Sequence, residues 1–187
     1  MGITGYVVLG LLVLVLLWAI STYNGLISRR NMVSEGWSGI EAQLKRRADL
    51  IPNLVETVKG YATHERATLD ELTRLRSQAT SGPQDLAQRG VAEQAITAAI
   101  GRVMAVAEAY PQLRASENFQ SLQKDLSSIE DEIQMARRYY NGTVRDYNTA
   151  IEQAPANIIA NSFAFSRAEF FQIENAADRA VPKVSFG

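Results

Sequence analysis

From Ile3 to Ile20 the sequence ITGYVVLGLLVLVLLWAI contains no charged residue, and the first charges in the chain are Arg29 and Arg30. Such a run has few places to go. In a bilayer a single strand would leave its backbone groups unpaired, so the run must be helical. Roughly 18 residues at about 1.5 Å each reach about 27 Å, which matches the hydrocarbon core. Ile3 and Ile20 bound this anchor, and Trp18 and Tyr23 fall where interfacial aromatics are expected. A cleaved signal peptide is the alternative, with Ala19-Ile20-Ser21 as a small-x-small site. No Lys or Arg precedes the run, however, and signal peptides have a basic leader. Arg29 and Arg30, followed by Lys45, Arg46 and Arg47, lean the bulk of the chain to the cytoplasmic side.

Beyond the anchor the apolar residues recur at steps of three and four. Val33, Trp37, Ile40, Leu44, Ala48, Ile51, Val55, Val58 and Ala62 form one stripe, and the phase carries on through Leu69, Leu72, Leu75 and Ala79. This predicts one helix over about 31–80, roughly 75 Å long. Ser81-Gly82-Pro83 ends it. Leu86, Val91, Ala95, Ile96, Ile100, Val103, Ala107 and Tyr110 predict a second helix over 83–110, rich in alanine and suited to close packing. A third stripe from Phe119 to Ile151 predicts a helix over 117–153. It passes through Asn141-Gly142 without losing phase, at a cost of about 1 kcal/mol for the glycine. Pro155 closes it. The fold class is therefore all-α: an N-terminal transmembrane helix, then an antiparallel bundle of three long helices with a short C-terminal element. The boundaries expected are 1–28 for the anchor and its juxtamembrane segment, 29–155 for the bundle and 156–187 for an aromatic-rich tail. Phe163, Phe165, Phe170 and Phe171 crowd that tail and must be covered by the bundle, the membrane or a neighbouring subunit.

Pro52 sits in the middle of LKRRADLIPNLVETV, an otherwise helical stretch. It removes the hydrogen bond to the Ala48 carbonyl, at about 3 kcal/mol, and should kink the first helix without ending it. Asp49 and Asn53, four apart, can pair along one face. Two accounts of the surrounding charges stay open. One is a bend with solvated side chains. The other is a polar seam in which Arg46 or Arg47 meets Glu130 or Asp146, from the same chain or from another copy.

Chemistry is sparsely represented. Cys is absent and His64 is the only histidine, so no zinc or di-iron site is expected, and no nucleotide-binding or nucleophile motif is present. No cofactor and no enzymatic activity are expected. A net charge of -1, with both signs interspersed, argues against nucleic acid as a partner.

The stretches LKRRADLIPNLVETVKGYATHE, AYPQLRASENFQSLQKDLSSIEDEI and ARRYYNGTVRDYNTAIEQAPANIIA together resemble the LemA family of bacterial single-span membrane proteins. The resemblance covers nearly the whole chain. It implies an inner-membrane protein with a helical-bundle body and no known enzymatic activity, and a relative takes part in building magnetosome membranes. The family signature falls on Arg47, Asp49, Leu50, Pro52, Asn53 and Leu54, and again on Arg137, Tyr140, Asn141, Asp146, Tyr147 and Asn148, which become structural or interface candidates. The chain departs from the pattern at Gly142-Thr143 and at residues 162–165, which are less basic. The bilayer is one partner. A homo-oligomeric scaffold is the first functional expectation, and an adaptor docking a membrane protein such as a protease is the alternative.

Overall fold

The computed structural model describes residues 2–81 and 85–172. Among these, all regular structure is helical: α1 (Ile3–Lys59), α2 (Arg66–Thr80), α3 (Leu86–Glu108), α4 (Pro111–Arg114), α5 (Glu117–Glu152) and α6 (Ala156–Ser162). The anchor and the first body helix are one element, since α1 runs unbroken from Ile3 through Pro52 to Lys59. Its apolar segment has a mean hydropathy of 2.6 and none of it is buried within the chain. Long, uncharged and with no residue buried inside the chain, this segment crosses the membrane.

The helix expected over about 31–80 is two helices. Gly60 begins a turn in which the Tyr61 and Ala62 amides return to the Val58 carbonyl, and α2 starts at Arg66. Glycine weakens the helix at this point. The stripe gave no warning because Ala62 stays buried in the turn and Leu69, Leu72 and Ala79 still face the core from α2. Ser81 follows the end of α2, and α3 begins at Leu86, where the Asp85 carboxylate accepts from the Gln88 amide at 2.7 Å. The start expected at Pro83 thus moves to residue 86, and residues 82–84 lie outside those described. Val91, placed in the second stripe by its spacing, points outward. The buried face of α3 is Gly90, Glu93, Ile96, Ala99, Val103 and Ala107.

Two compact units share α1 and α5. This division follows neither boundary expected near residues 28 and 155. The first unit comprises described residues up to Glu41 with Gln134–Phe170. Leu26, Tyr147, Ile151, Ile159 and Ala160 form its core. There α1 and α5 run antiparallel, Leu26 lying with Tyr147 and Ile151 while Gly36 faces Tyr140. A Cβ on Gly36 would come within 3.2 Å of the Tyr140 Cα, so glycine sets the approach of the two helices here. Gly142 carries no such requirement, for a Cβ there would meet nothing within 4 Å. Beyond the end of α6, Ala164 lies in the left-handed region (φ 54°), and the Phe165 amide returns to the Ala160 carbonyl at 2.9 Å. That is a Schellman closure made with alanine in place of the usual glycine.

The second unit comprises Ala42–Ile133 with Phe171 and Gln172. Its core is built by Ile51, Leu54 and Val58 of α1, Leu69 and Leu72 of α2, Ile96 and Val103 of α3, Leu113 of α4, and Phe119 and Leu126 of α5. Phe171 is fully buried here. A Cβ on Gly90 would overlap the Gln172 carbonyl oxygen, so only glycine lets the chain pass this point of α3.

Candidate functional site

Two polar clusters, one in each unit, gather most of the signature residues. In the second unit Arg47 is in phase with Leu44 and Ile51 and is carried into the interior, where it is 2% exposed. A guanidinium there must be paired, because a lone buried cation is too costly. Its Nη2 lies 2.7 Å from the Glu93 carboxylate on α3, itself 3% exposed, and 3.3 Å from the Glu93 carbonyl. Its Nη1 donates to the Thr97 hydroxyl at 2.7 Å and to the Glu130 carboxylate on α5 at 2.8 Å. Thr97 is oriented by donating back to the Glu93 carbonyl at 3.2 Å, leaving its lone pairs to Arg47. Arg89, one turn before Glu93, lies 2.9 Å from the second Glu93 oxygen. Two cations and two anions therefore balance across α1, α3 and α5, and Arg46 adds an ion pair to Glu132 at the surface.

The carbonyl orphaned by Pro52 is also accounted for. Arg76 on α2 donates its Nε–H to the Ala48 carbonyl at 2.6 Å. The reversal at Gly60 is what brings α2 back to this point. A charge-assisted bond, at about 1.5–3 kcal/mol, offsets much of the cost of the proline. Pro52 itself is exposed. Asp49 does not pair with Asn53 and instead takes the Lys45 ammonium at 2.9 Å, both groups being exposed. Asn53 lies at the surface, beside Glu56, Asn118 and Ser121. Asp146 is also solvent-exposed, near Arg145, and takes no part in the network around Arg47.

In the first unit, α5 grips the chain that follows α6. Tyr140 donates to the Glu169 carbonyl at 2.8 Å, and Tyr147 to the Ser166 carbonyl at 3.0 Å. Between these bonds Asn148, 4% exposed, donates to the Ala168 carbonyl and accepts from the Ala168 amide, both at 2.9 Å. Spaced by seven and eight residues, these side chains share a face of α5. Trp37 of α1 packs edge-on against Tyr140. Arg137, half-buried, donates to Gln134 at 2.8 Å, and Asn141 is half-buried beside it. Of the tail aromatics in this unit, Phe165 packs on Tyr23 and under the Arg30 guanidinium. Phe163 packs at a tilt against Tyr23 but keeps most of its surface, and Phe170 is exposed.

Burial raises the pKa of both tyrosines above the ordinary 10.0; the Glu169 carboxylate raises Tyr140 further, while Arg30 partly opposes the rise at Tyr147. The unfolded chain then loses these protons first as pH rises. Stability supplied by the two hydroxyls is complete below pH 10 and is lost as pH climbs from there through the folded values. Thermal unfolding of the full chain in mild detergent should show a declining midpoint across this range, and Tyr140→Phe with Tyr147→Phe should flatten the decline. An equal slope in the double variant would remove the tyrosines from the account.

Glu93, Arg89, Thr97 and Arg76 are absent from the sequence-derived candidates. Glu93 did leave a signal, since it lies in phase with Ile96, Ile100, Val103 and Ala107 and is an acid within an apolar stripe. Arg76 left none, because only the turn at Gly60 gives it a partner. Among the described residues no group of three or more His, Asp or Glu side chains converges as a metal site.

The LemA family model matches residues 36–186. Relatives named as magnetosome proteins include two from different organisms. MamQ 2 of Paramagnetospirillum magneticum is 28% identical over 85% of this chain and 68% of its own length. MamQ of Magnetospirillum gryphiswaldense is 25% identical with the same coverage. Protein LemA of Metamycoplasma hominis is 27% identical over 80% of this chain and 68% of its own length.

Proposed function

Because the chain belongs to the LemA family of membrane proteins, which are not enzymes, we propose that it is a membrane-anchored scaffold whose copies associate side by side at the bacterial inner membrane. The observation that carries this reading is an exposed strip on α5. Met135 and Tyr139 lie one helical turn apart and are both more than half exposed, in the unit that also contains the membrane segment. Methionine and tyrosine are enriched in the cores of protein interfaces. Confinement to a membrane raises the effective concentration of copies, so a small strip suffices. No linker separates the anchor from the body, since both belong to α1, which limits the orientations that neighbouring copies must sort through.

The network around Arg47 and the grip around Asn148 brace each copy internally in this reading, and Asp49, Asp146 and Asn53 are left at the surface for contacts. Arg29 and Arg30 favour a body on the cytoplasmic side. Relatives bearing the name magnetosome protein support a role in organising membrane. The chain has no native cysteine, so a Tyr139→Cys variant can be crosslinked in membranes with a short bis-maleimide. Dimers of this chain that vanish when Met135→Glu is added are the expected result. A chain that stays single in nanodiscs and crosslinks to one other protein in fixed stoichiometry would replace the scaffold with an adaptor.

A further inference from the structure

α1 emerges from the apolar segment at Ile20, and Tyr23 follows three residues later, only about 4.5 Å further along the helix axis. The interfacial layer of one leaflet is itself several ångströms thick, so Tyr23 lies within it. The Phe163 ring centroid is 4.8 Å from that of Tyr23, and Phe165 is 5.8 Å away. Ala19, inside the apolar run, already packs against the cluster of Leu26, Ile159 and Ala160. The end of α6 therefore reaches the level at which the anchor leaves the hydrocarbon, and whatever α6 presents outward there faces lipid.

We infer that α6 and the residues after it form a second, non-spanning membrane contact, with Ile158 and Phe163 seated in the interfacial layer of the leaflet from which α1 emerges. Ile159 and Ala160 turn inward to the core of this unit, while Ile158 is 61% and Phe163 60% exposed. The chain from Gln153 to Ser166 contains no charged residue, although charges are frequent on either side of it. A water-facing loop gains nothing from that exclusion. A segment pressed against acyl chains and headgroups requires it.

Cations stand where lipid phosphates would meet them. The Arg29 guanidinium reaches back one turn to the Gly25 carbonyl at 3.3 Å, towards the membrane segment. The Arg30 guanidinium lies over the Phe165 ring at 5.6 Å, a placement that holds it near the Phe163–Tyr23 pair. Both arginines are exposed. Two apolar side chains beside two guanidiniums match the layered chemistry of the bilayer interface, and the continuity of this surface with the anchor identifies the bilayer as its occupant.

The test uses the full chain in phosphatidylcholine and phosphatidylglycerol nanodiscs, with an environment-sensitive fluorophore on a single introduced cysteine. Ile158→Cys and Phe163→Cys report on the foot, and Val91→Cys is the control, on an exposed apolar residue of α3 in the other unit. Labels at 158 and 163 should be quenched by lipids carrying a nitroxide near the top of the acyl chain, and should be severalfold less accessible to aqueous iodide than the label at 91. Iodide accessibility equal to that at 91 would overturn the inference. So would protection from iodide without quenching by lipid, which would mean that the surface is covered by protein.

Discussion

Replacing Arg47 by alanine should lower the stability of the body by about 3–5 kcal/mol, because it strands the Glu93 carboxylate in the interior. At about 2–4 °C per kcal/mol for a chain of this size, the thermal midpoint should drop by on the order of 10 °C. Arg89 remains 2.9 Å from Glu93 and is partly exposed, so it tempers the loss without cancelling it. Arg47→Lys should recover only part of the difference, since a lysine has one ammonium for a site where the guanidinium fork reaches Glu93, Thr97 and Glu130 together. The informative variant is Arg47→Met with Glu93→Met. Removing both charges removes the stranded ion as well, and the pair should return to within about 1–2 kcal/mol of the parent. Calorimetry of the four proteins in the same detergent decides the matter. If Arg47→Ala alone is neutral, water reaches Glu93 and the network is not a brace. If the double variant is as damaged as the single one, the cost lies in the bonds that Arg47 makes to Thr97 and Glu130, and not in a stranded Glu93 charge or in packing of the arginine stem, which methionine largely keeps.

The sequence made the long helices legible because their stripes are long. The phase from Val33 to Val58 and from Phe119 to Ile151 persists over many turns, and only a helix with one buried face keeps apolar residues in step that far. It also concealed the break after Lys59. Ala62 and Leu69 are seven residues apart, which is two turns of a continuing helix, yet the structure places them on either side of a reversal. Periodicity reports which residues are buried, and it is blind to a turn that preserves that set. The proline question was half legible for the same reason. The lost bond at Ala48 follows from covalent chemistry, but its replacement by Arg76 depends on the reversal that the stripe concealed. Glu130 could be proposed for Arg47 because both lie beside their stripes. Asp146, proposed with it, is exposed beside Arg145.

Replacing Asn148 by leucine should release residues 166–169 from α5 while leaving the helices themselves intact. Asn148 satisfies both backbone groups of Ala168 with one planar amide, as a neighbouring strand would. Leucine keeps the bulk and leaves a partly covered amide and carbonyl without partners. The cost is about 1–3 kcal/mol for each group that water cannot reach. Tyr140 and Tyr147 donate to single carbonyls on either side and cannot replace the lost donor to the Ala168 carbonyl, because their hydroxyl protons are already committed. Asn148→Asp keeps an acceptor for the Ala168 amide but sets a carboxylate against the Ala168 carbonyl, so it should be nearly as harmful as leucine. Arg167, adjacent to Ala168, is largely exposed and provides the readout. In the parent, trypsin must bend a chain pinned on both sides of that residue. In the variants cleavage after Arg167 should accelerate by an order of magnitude or more, as about 2 kcal/mol of local stability would imply, while helical circular dichroism changes little. Unchanged cleavage would mean that Phe171, fully buried in its own unit, holds the segment without help from the amide. Acceleration would make the Asn148 clasp the gate on whether the segment leading to Phe171 stays in place, and would tie the tyrosines and the asparagine of the signature to one mechanical task.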